Sequence, residues 1–173
     1  MQQHLPLLLI AALVGAGLMS GLLFVFSNVV MRALLELPPA HGMQAMQRIN
    51  IIIVNPLFLL FFVGTAVVCV LIVVIAASAI TAPGMPWCLA GGLAYLLGPM
   101  GVTAVFSIPL NNQLASRLPE EASTQWPTYA ARWLRWNHVR TALAVVAVVC
   151  LAAGFGEAGM TSRGVPKQRL TNV

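Results

Sequence analysis

Apolar residues come in long blocks separated by short polar stretches. Residues 5–31 carry no charge before Arg32, and a second apolar run extends over 49–81 with Pro56 near its start. A third run covers about 87–110. The fourth, 141–155, is short. A helix needs about 20 apolar residues to cross the hydrocarbon core of a bilayer. The first three runs meet that length. The fourth meets it if its helix begins earlier, with Pro127 in the first turn, where a missing N–H is tolerated. The pattern predicts an all-α polytopic membrane protein, a bundle of four transmembrane helices within residues 1–155. A flexible polar tail, 156–173, is expected to follow. The cluster Ala82-Pro-Gly-Met-Pro86 predicts a tight connection between the second and third helices. The first run is longer than a signal-peptide core and follows no Lys or Arg, so it reads as a retained span. Within it, Gly17 and Gly21 form a GxxxG step that predicts close helix contact.

Composition narrows the surroundings. Of 173 residues, 60% are hydrophobic and 8% charged, there is no Asp, and mean hydropathy is +0.90. A soluble domain is about 25% charged. So few charges cannot cover a water-exposed surface, which excludes an ordinary soluble enzyme and a disordered chain. The sequence pI near 9.9 comes from nine scattered basic residues, not a phosphate-tracking stripe, so no nucleic-acid partner is expected. The expected partner is membrane lipid. Cys69, Cys88 and Cys150 form no closely spaced pair and read as small apolar packing residues.

Four crossings place both connections 32–48 and 111–126 at one membrane face. Asn28, Asn50, Asn111, Asn112, Asn137, His138 and Arg140 then share that face. A weak internal repeat runs through the same region. Gly21-Leu-Leu-Phe-Val-Phe-Ser27 and Gly101-Val-Thr-Ala-Val-Phe-Ser107 both read GxxxVFS. Each precedes a polar loop and then an Arg-x-Asn step, Arg48-Ile49-Asn50 or Arg135-Trp136-Asn137. Two such helix pairs would form a parallel repeat.

At about 100° per residue, Tyr129, Trp133, Trp136, Asn137 and Arg140 lie on one third of a helix. Arg140 reads either as a snorkelling cation or as a buried one that holds a polar ligand. Trp126, Tyr129, Trp133 and Trp136 read as an interfacial belt or as a stacking wall beside the Asn/Arg cluster. His138 points about 100° away from Asn137. His138 and His41, with no Asp or nearby Cys, make a poor metal site, so no metal is expected. No cofactor is expected either; a haem pair of histidines is the alternative. Glu36, Glu120, Glu121 and Glu157 read as solvated loop or tail charges.

Four pieces together resemble the anthrone oxygenase-like family of integral membrane proteins: Gly21-Leu-Leu-Phe-Val-Phe-Ser-Asn28 with Val30-Met31, Met46-Gln-Arg-Ile-Asn50, Ile108-Pro-Leu-Asn-Asn-Gln-Leu114 and Trp133-Leu-Arg-Trp-Asn-His-Val-Arg-Thr141. The resemblance implies a four-helix membrane protein and O2-dependent oxidation of a small lipophilic aromatic, without an obvious cofactor. Such chemistry needs a base, donors for an oxyanion and an aromatic slot. His138 is the expected base, and Arg140 with Asn137 and Asn111 the expected oxyanion holders. Trp133 and Trp136 are the expected slot, with Asn50 and Asn112 completing the substrate-binding set. A non-catalytic binder or permease, and a structural or accessory subunit, are the competing readings. A bacterial inner membrane is the expected location. The excess of Arg at the polar face points that face to the cytoplasm.

Overall fold

The computed structural model describes residues 4–163. Among these the chain is almost entirely helical, without strands. Helix α1 is Leu5–Glu36, α2 Pro39–Ile52, α3 Pro56–Ser78 and α4 Met85–Ala115. A single 3-10 turn, Pro119–Glu121, leads into α5, Ala122–Arg163. Helices α1, α3, α4 and the continuous helical stretch Pro119–Gly159 are each long and apolar enough to cross a membrane. Each packs against its neighbours in a ring, in the order α1, α3, α4, α5 and back to α1. Consecutive spans are therefore adjacent, as short connections require.

Two packed regions stabilise the ring. One is built from small and aliphatic residues, including Leu9, Ala12, Ala16, Cys69, Ile72, Ala147 and Leu151, around the buried Tyr95 ring. The other gathers Met31, Met43, Met46, Leu114, Trp126 and Trp133 at the end where α2 lies. Leu7, Leu57, Leu60 and Leu97 point outward and stay exposed. Lipid tails are as apolar as these side chains, so close packing and internal hydrogen bonds, rather than escape from water, hold such helices together. One such bond runs from the Tyr95 hydroxyl to the Phe62 carbonyl at 3.1 Å, between α4 and α3.

Local chemistry moves several boundaries from where the sequence pattern puts them. The run 49–81 is not one helix. Pro56 has no N–H to continue a helix from α2. Asn55 ends the break by accepting a hydrogen bond from Phe58 N at 3.0 Å, which caps α3. Helix α5 begins at Ala122 rather than near Pro127, so that proline lies inside the helix. The same helix runs on to Arg163, so the expected flexible tail does not begin at 156; residues 164–173 lie outside the described residues. Glu157 is not a solvated tail charge. It accepts from Gly84 N and from Trp87 Nε1, both at 3.0 Å, and so ties α5 to the turn between α3 and α4. That turn depends on Gly84, at φ +81°, where a Cβ would also come within 2.6 Å of the Gly154 carbonyl oxygen. Gly17 and Gly21 meet no neighbour within 4 Å, so their GxxxG step makes no helix contact in this chain.

Both copies of GxxxVFS end in π-helical backbone. In α1 the stretch is Phe26–Val30, closed by Met31 N–H bonding to the Phe26 carbonyl; in α4 it is Leu96–Ser107, closed by Ile108 N–H to Thr103. In α4, Pro99 accounts for part of the widening, because its ring cannot pack against a regular i−4 carbonyl. Such i→i+5 turns are rare and rephase the side chains that follow. Both serines of the motif, Ser27 and Ser107, are buried.

Candidate functional site

The polar end of the ring is closed by Asn137 and Arg140 of α5. Asn137 is fully buried. Its Nδ2 donates to the Leu23 carbonyl at 2.8 Å and to Ser27 Oγ at 2.7 Å, both on α1. Its Oδ1 accepts from Arg140 Nη2 at 2.6 Å. Arg140 also donates from Nη1 to Thr103 Oγ1 of α4 at 3.1 Å, and its guanidinium lies over the Trp133 ring at 5.2 Å. One helix thus ties together the π stretches of two others. The (i, i+3) spacing of Asn137 and Arg140 makes this legible as one face.

Arg140 is 8% exposed. Arg117 pairs with Glu121 elsewhere on the chain, and Arg140 forms no salt bridge with a described residue. A buried cation stabilised by neutral oxygens and a ring face still lacks a counter-charge, and leaving it so is unfavourable. Its Nε has no hydrogen-bond partner.

Beside Arg140 lies a cavity of about 360 Å³. Its floor is apolar, formed by Met19, Phe58, Phe62 and Met100 among others; its polar rim is Asn50, Thr103, Ser107, Asn111, Asn137 and Arg140, with Trp133. No carboxylate, histidine or cysteine lines it. Four side chains on this wall leave a polar atom without a partner: Asn50 Nδ2, Ser107 Oγ, Trp133 Nε1 and Arg140 Nε. All four can donate a hydrogen bond, and three can only donate. The Tyr129 hydroxyl donates to Asn111 Oδ1 at 2.9 Å, fixing that amide at the rim, and Asn50 lies beside the same hydroxyl. A wider groove of about 750 Å³, lined by Gln44, Gln47, Arg48 and Asn112, meets the cavity at Asn50, Val54, Ile108 and Asn111.

The structure brings Asn50, Asn111, Trp133, Asn137 and Arg140 to one cavity. The other three expected site residues fall outside it. His138 is exposed on the far side of α5 and is absent from the cavity wall, so the base role expected of it has no geometric support. An ideal helix already turns it away from Asn137. Asn112 is exposed and lines the outer groove. Trp136 stacks on Phe106, with ring centroids 3.5 Å apart and planes 8° from parallel, instead of walling the cavity. Trp126 is buried against Tyr129 and takes no part. Thr103 and Ser107 carry no chemical signature of their own in the sequence. The GxxxVFS repeat, which contains both, is the sequence feature that can find them. Asn28 bonds back to the Phe24 carbonyl at 3.0 Å and faces outward.

A family model described as anthrone oxygenase matches residues 57–150, more than half of the chain. The match covers α3, α4 and the part of α5 that carries Asn137 and Arg140. The GxxxVFS of α1 and the Arg48-Ile49-Asn50 step precede it. No curated protein and no solved structure matches the chain.

Proposed function

Since the chain belongs to the anthrone oxygenase family, we propose that it oxidises a small lipophilic aromatic with O2, holding the substrate as an oxyanion against Arg140. The observation that carries this reading is the Arg140 guanidinium, buried without a carboxylate beside an apolar cavity. The cavity volume lies in the range of about 300–1,000 Å³ typical of small-molecule sites. A cluster serving only to tie helices would close on itself, whereas here four polar atoms stay unpaired.

In this reading the substrate carries a CH2 between aromatic rings, conjugated to a carbonyl. Loss of a CH proton delivers an electron-rich aromatic oxyanion, whose charge faces Arg140 and whose body fills the Phe58–Phe62 end. Carbon transfers electrons to O2 and the C–O bond forms. Protonation of the distal oxygen gives a hydroperoxide. Its O–O bond breaks as the second C–H proton is lost, leaving C=O and water. One O2 is consumed per CH2 converted, and the four electrons lost by carbon reduce both oxygen atoms. Since no base lines the cavity, the field of Arg140 does the work of ionisation by favouring the anion, as preorganised charge in a low-dielectric site does. The substrate proton leaves by the polar groove beyond Asn50 and Asn111. By the positive-inside bias, this groove opens to the cytoplasmic side of a bacterial inner membrane.

The test is O2 uptake by membranes containing the protein, with an anthrone as substrate and quinone absorbance as the second readout. Uptake and quinone should rise one to one, and both should be lost in Arg140→Met. Wild-type membranes that show no protein-dependent uptake would sink the oxygenase reading. The lack of a base on the cavity wall favours one alternative, a binder or permease for the same ligand. That alternative gives saturable anthrone binding without uptake.

A further inference from the structure

The two GxxxVFS motifs place their serines in different states. Ser27 is bonded across the ring to Asn137, at 2.7 Å. By the internal repeat, Ser27 corresponds to Ser107, and Asn137, in Arg135-Trp136-Asn137, corresponds to Asn50, in Arg48-Ile49-Asn50. The matching bond is not made in the second half. Ser107 Oγ makes no hydrogen bond, Asn50 Nδ2 makes none within 3.5 Å although the Tyr129 hydroxyl is its neighbour, and both side chains line the cavity. Ser107 is 2% exposed, so no outside solvent satisfies its hydroxyl. A buried hydroxyl or amide left unpaired is unfavourable, because it has given up water without gaining a partner. In one half of the molecule the pair is a structural clasp, and in the other it stands open toward the cavity.

We infer that Asn50 and Ser107 form a second oxygen-binding subsite, which receives an acceptor oxygen of the ligand while Arg140 holds its oxyanion. The inference rests on the reading of the cavity as the substrate site, and names the ligand class more narrowly. The ligand is an aromatic with at least two oxygens, one ionised and one a hydrogen-bond acceptor. An Asn Nδ2 and a Ser hydroxyl on either side of one oxygen supply two donors, which suits a carbonyl with its two lone pairs. A ligand with a single oxygen satisfies Arg140 and leaves this pair empty.

The inference is tested by binding to the detergent-purified full chain, with two probes. The first is 2-hydroxy-1,4-naphthoquinone, which offers an oxyanion and carbonyl oxygens. The second is 2-naphthol, which offers one oxygen. Ser107→Ala and Asn50→Leu should each weaken the naphthoquinone by about tenfold, since each removes a donor to a buried acceptor. Neither should change 2-naphthol binding by more than about twofold. The double variant should be little worse than either single one, because both donors serve one oxygen. Thermal stability separates this role from a structural one. Ser107→Ala should leave the unfolding temperature unchanged, whereas Ser27→Ala, which breaks the closed clasp, should lower it. Equal effects on the two probes, or none on either, overturn the inference while leaving an Arg140-dependent binding site intact. Failure of both probes to bind the wild type overturns the inference and the proposed function together.

Discussion

Arg140 Nη2 donates to Asn137 Oδ1 at 2.6 Å, and Asn137 Nδ2 in turn holds Ser27 Oγ at 2.7 Å. The amide faces two ways, accepting from the cation on its own helix and donating to α1. It therefore fixes the guanidinium without neutralising it. Charge that is positioned but unanswered is what an anion site requires.

Replacing Asn137 with Asp keeps an acceptor for Arg140 and adds the missing counter-charge. Asn137→Asp should abolish ligand binding, because the internal carboxylate competes with the ligand oxyanion. It also loses the donation to Leu23 and Ser27. The check is a binding titration with 2-hydroxy-1,4-naphthoquinone alongside Asn137→Ala. The alanine variant should lower stability by about 2–3 kcal/mol, measured by denaturant unfolding in detergent, since it leaves several buried groups unpaired.

Arg140→Met removes a buried charge and leaves a shorter, flexible apolar side chain. Removing an uncompensated buried charge is favourable, which offsets the loss of its hydrogen bonds to Asn137 and Thr103. The variant should therefore fold at least as well as the wild type by thermal melt. It should lose about 2–5 kcal/mol of anion binding. Loss of fold together with loss of binding would mean that Arg140 holds the helices rather than the ligand.

His138→Ala should leave oxidation and binding within about twofold of wild type, because an exposed substitution away from the site shifts energies by at most about 0.5 kcal/mol. Steady-state O2 uptake with anthrone is the measurement. A large loss would return the histidine to the mechanism and require its helix to turn.

Met100 contributes to the apolar lining of the cavity. Met100→Trp should fill part of it and weaken the naphthoquinone by about tenfold, with little change in unfolding temperature, since the added ring enters existing space. Equilibrium binding and thermal melts read the two effects separately.

Glu157→Ala removes both hydrogen bonds that tie α5 to the α3–α4 turn. Charged hydrogen bonds contribute about 1.5–3 kcal/mol each when buried, and less here because Trp87 is exposed. A loss of about 1–2 kcal/mol in stability is expected with ligand affinity unchanged. Thermal unfolding and the naphthoquinone titration separate these outcomes.

Much of the fold was legible from residue order. The four apolar blocks mark four long helices because only an internally bonded backbone is stable in lipid, and length follows from bilayer thickness. The shared face of Trp133, Asn137 and Arg140 follows from 3.6 residues per turn. The break at Asn55 was also written in the chain, since Pro56 follows a capping residue, but apolar content on both sides masked it. The anchoring of Glu157 was not legible. Its partners, Gly84 and Trp87, lie about seventy residues away and are met only when α3, α4 and α5 pack together.

The sequence by itself determined the solvent, the helices and the residues that share the polar end. Scarce charge and long apolar runs leave little choice there, because each crossing must satisfy its own backbone. Tertiary structure alone decided which polar groups are paired. Asn137 and Asn50 occupy matching positions along the repeat, yet one closes on Ser27 and the other stays open with Ser107 beside a cavity. Hydrogen-bond partners from different helices are set by how those helices pack and by where the π turns rephase their side chains, and local periodicity carries neither.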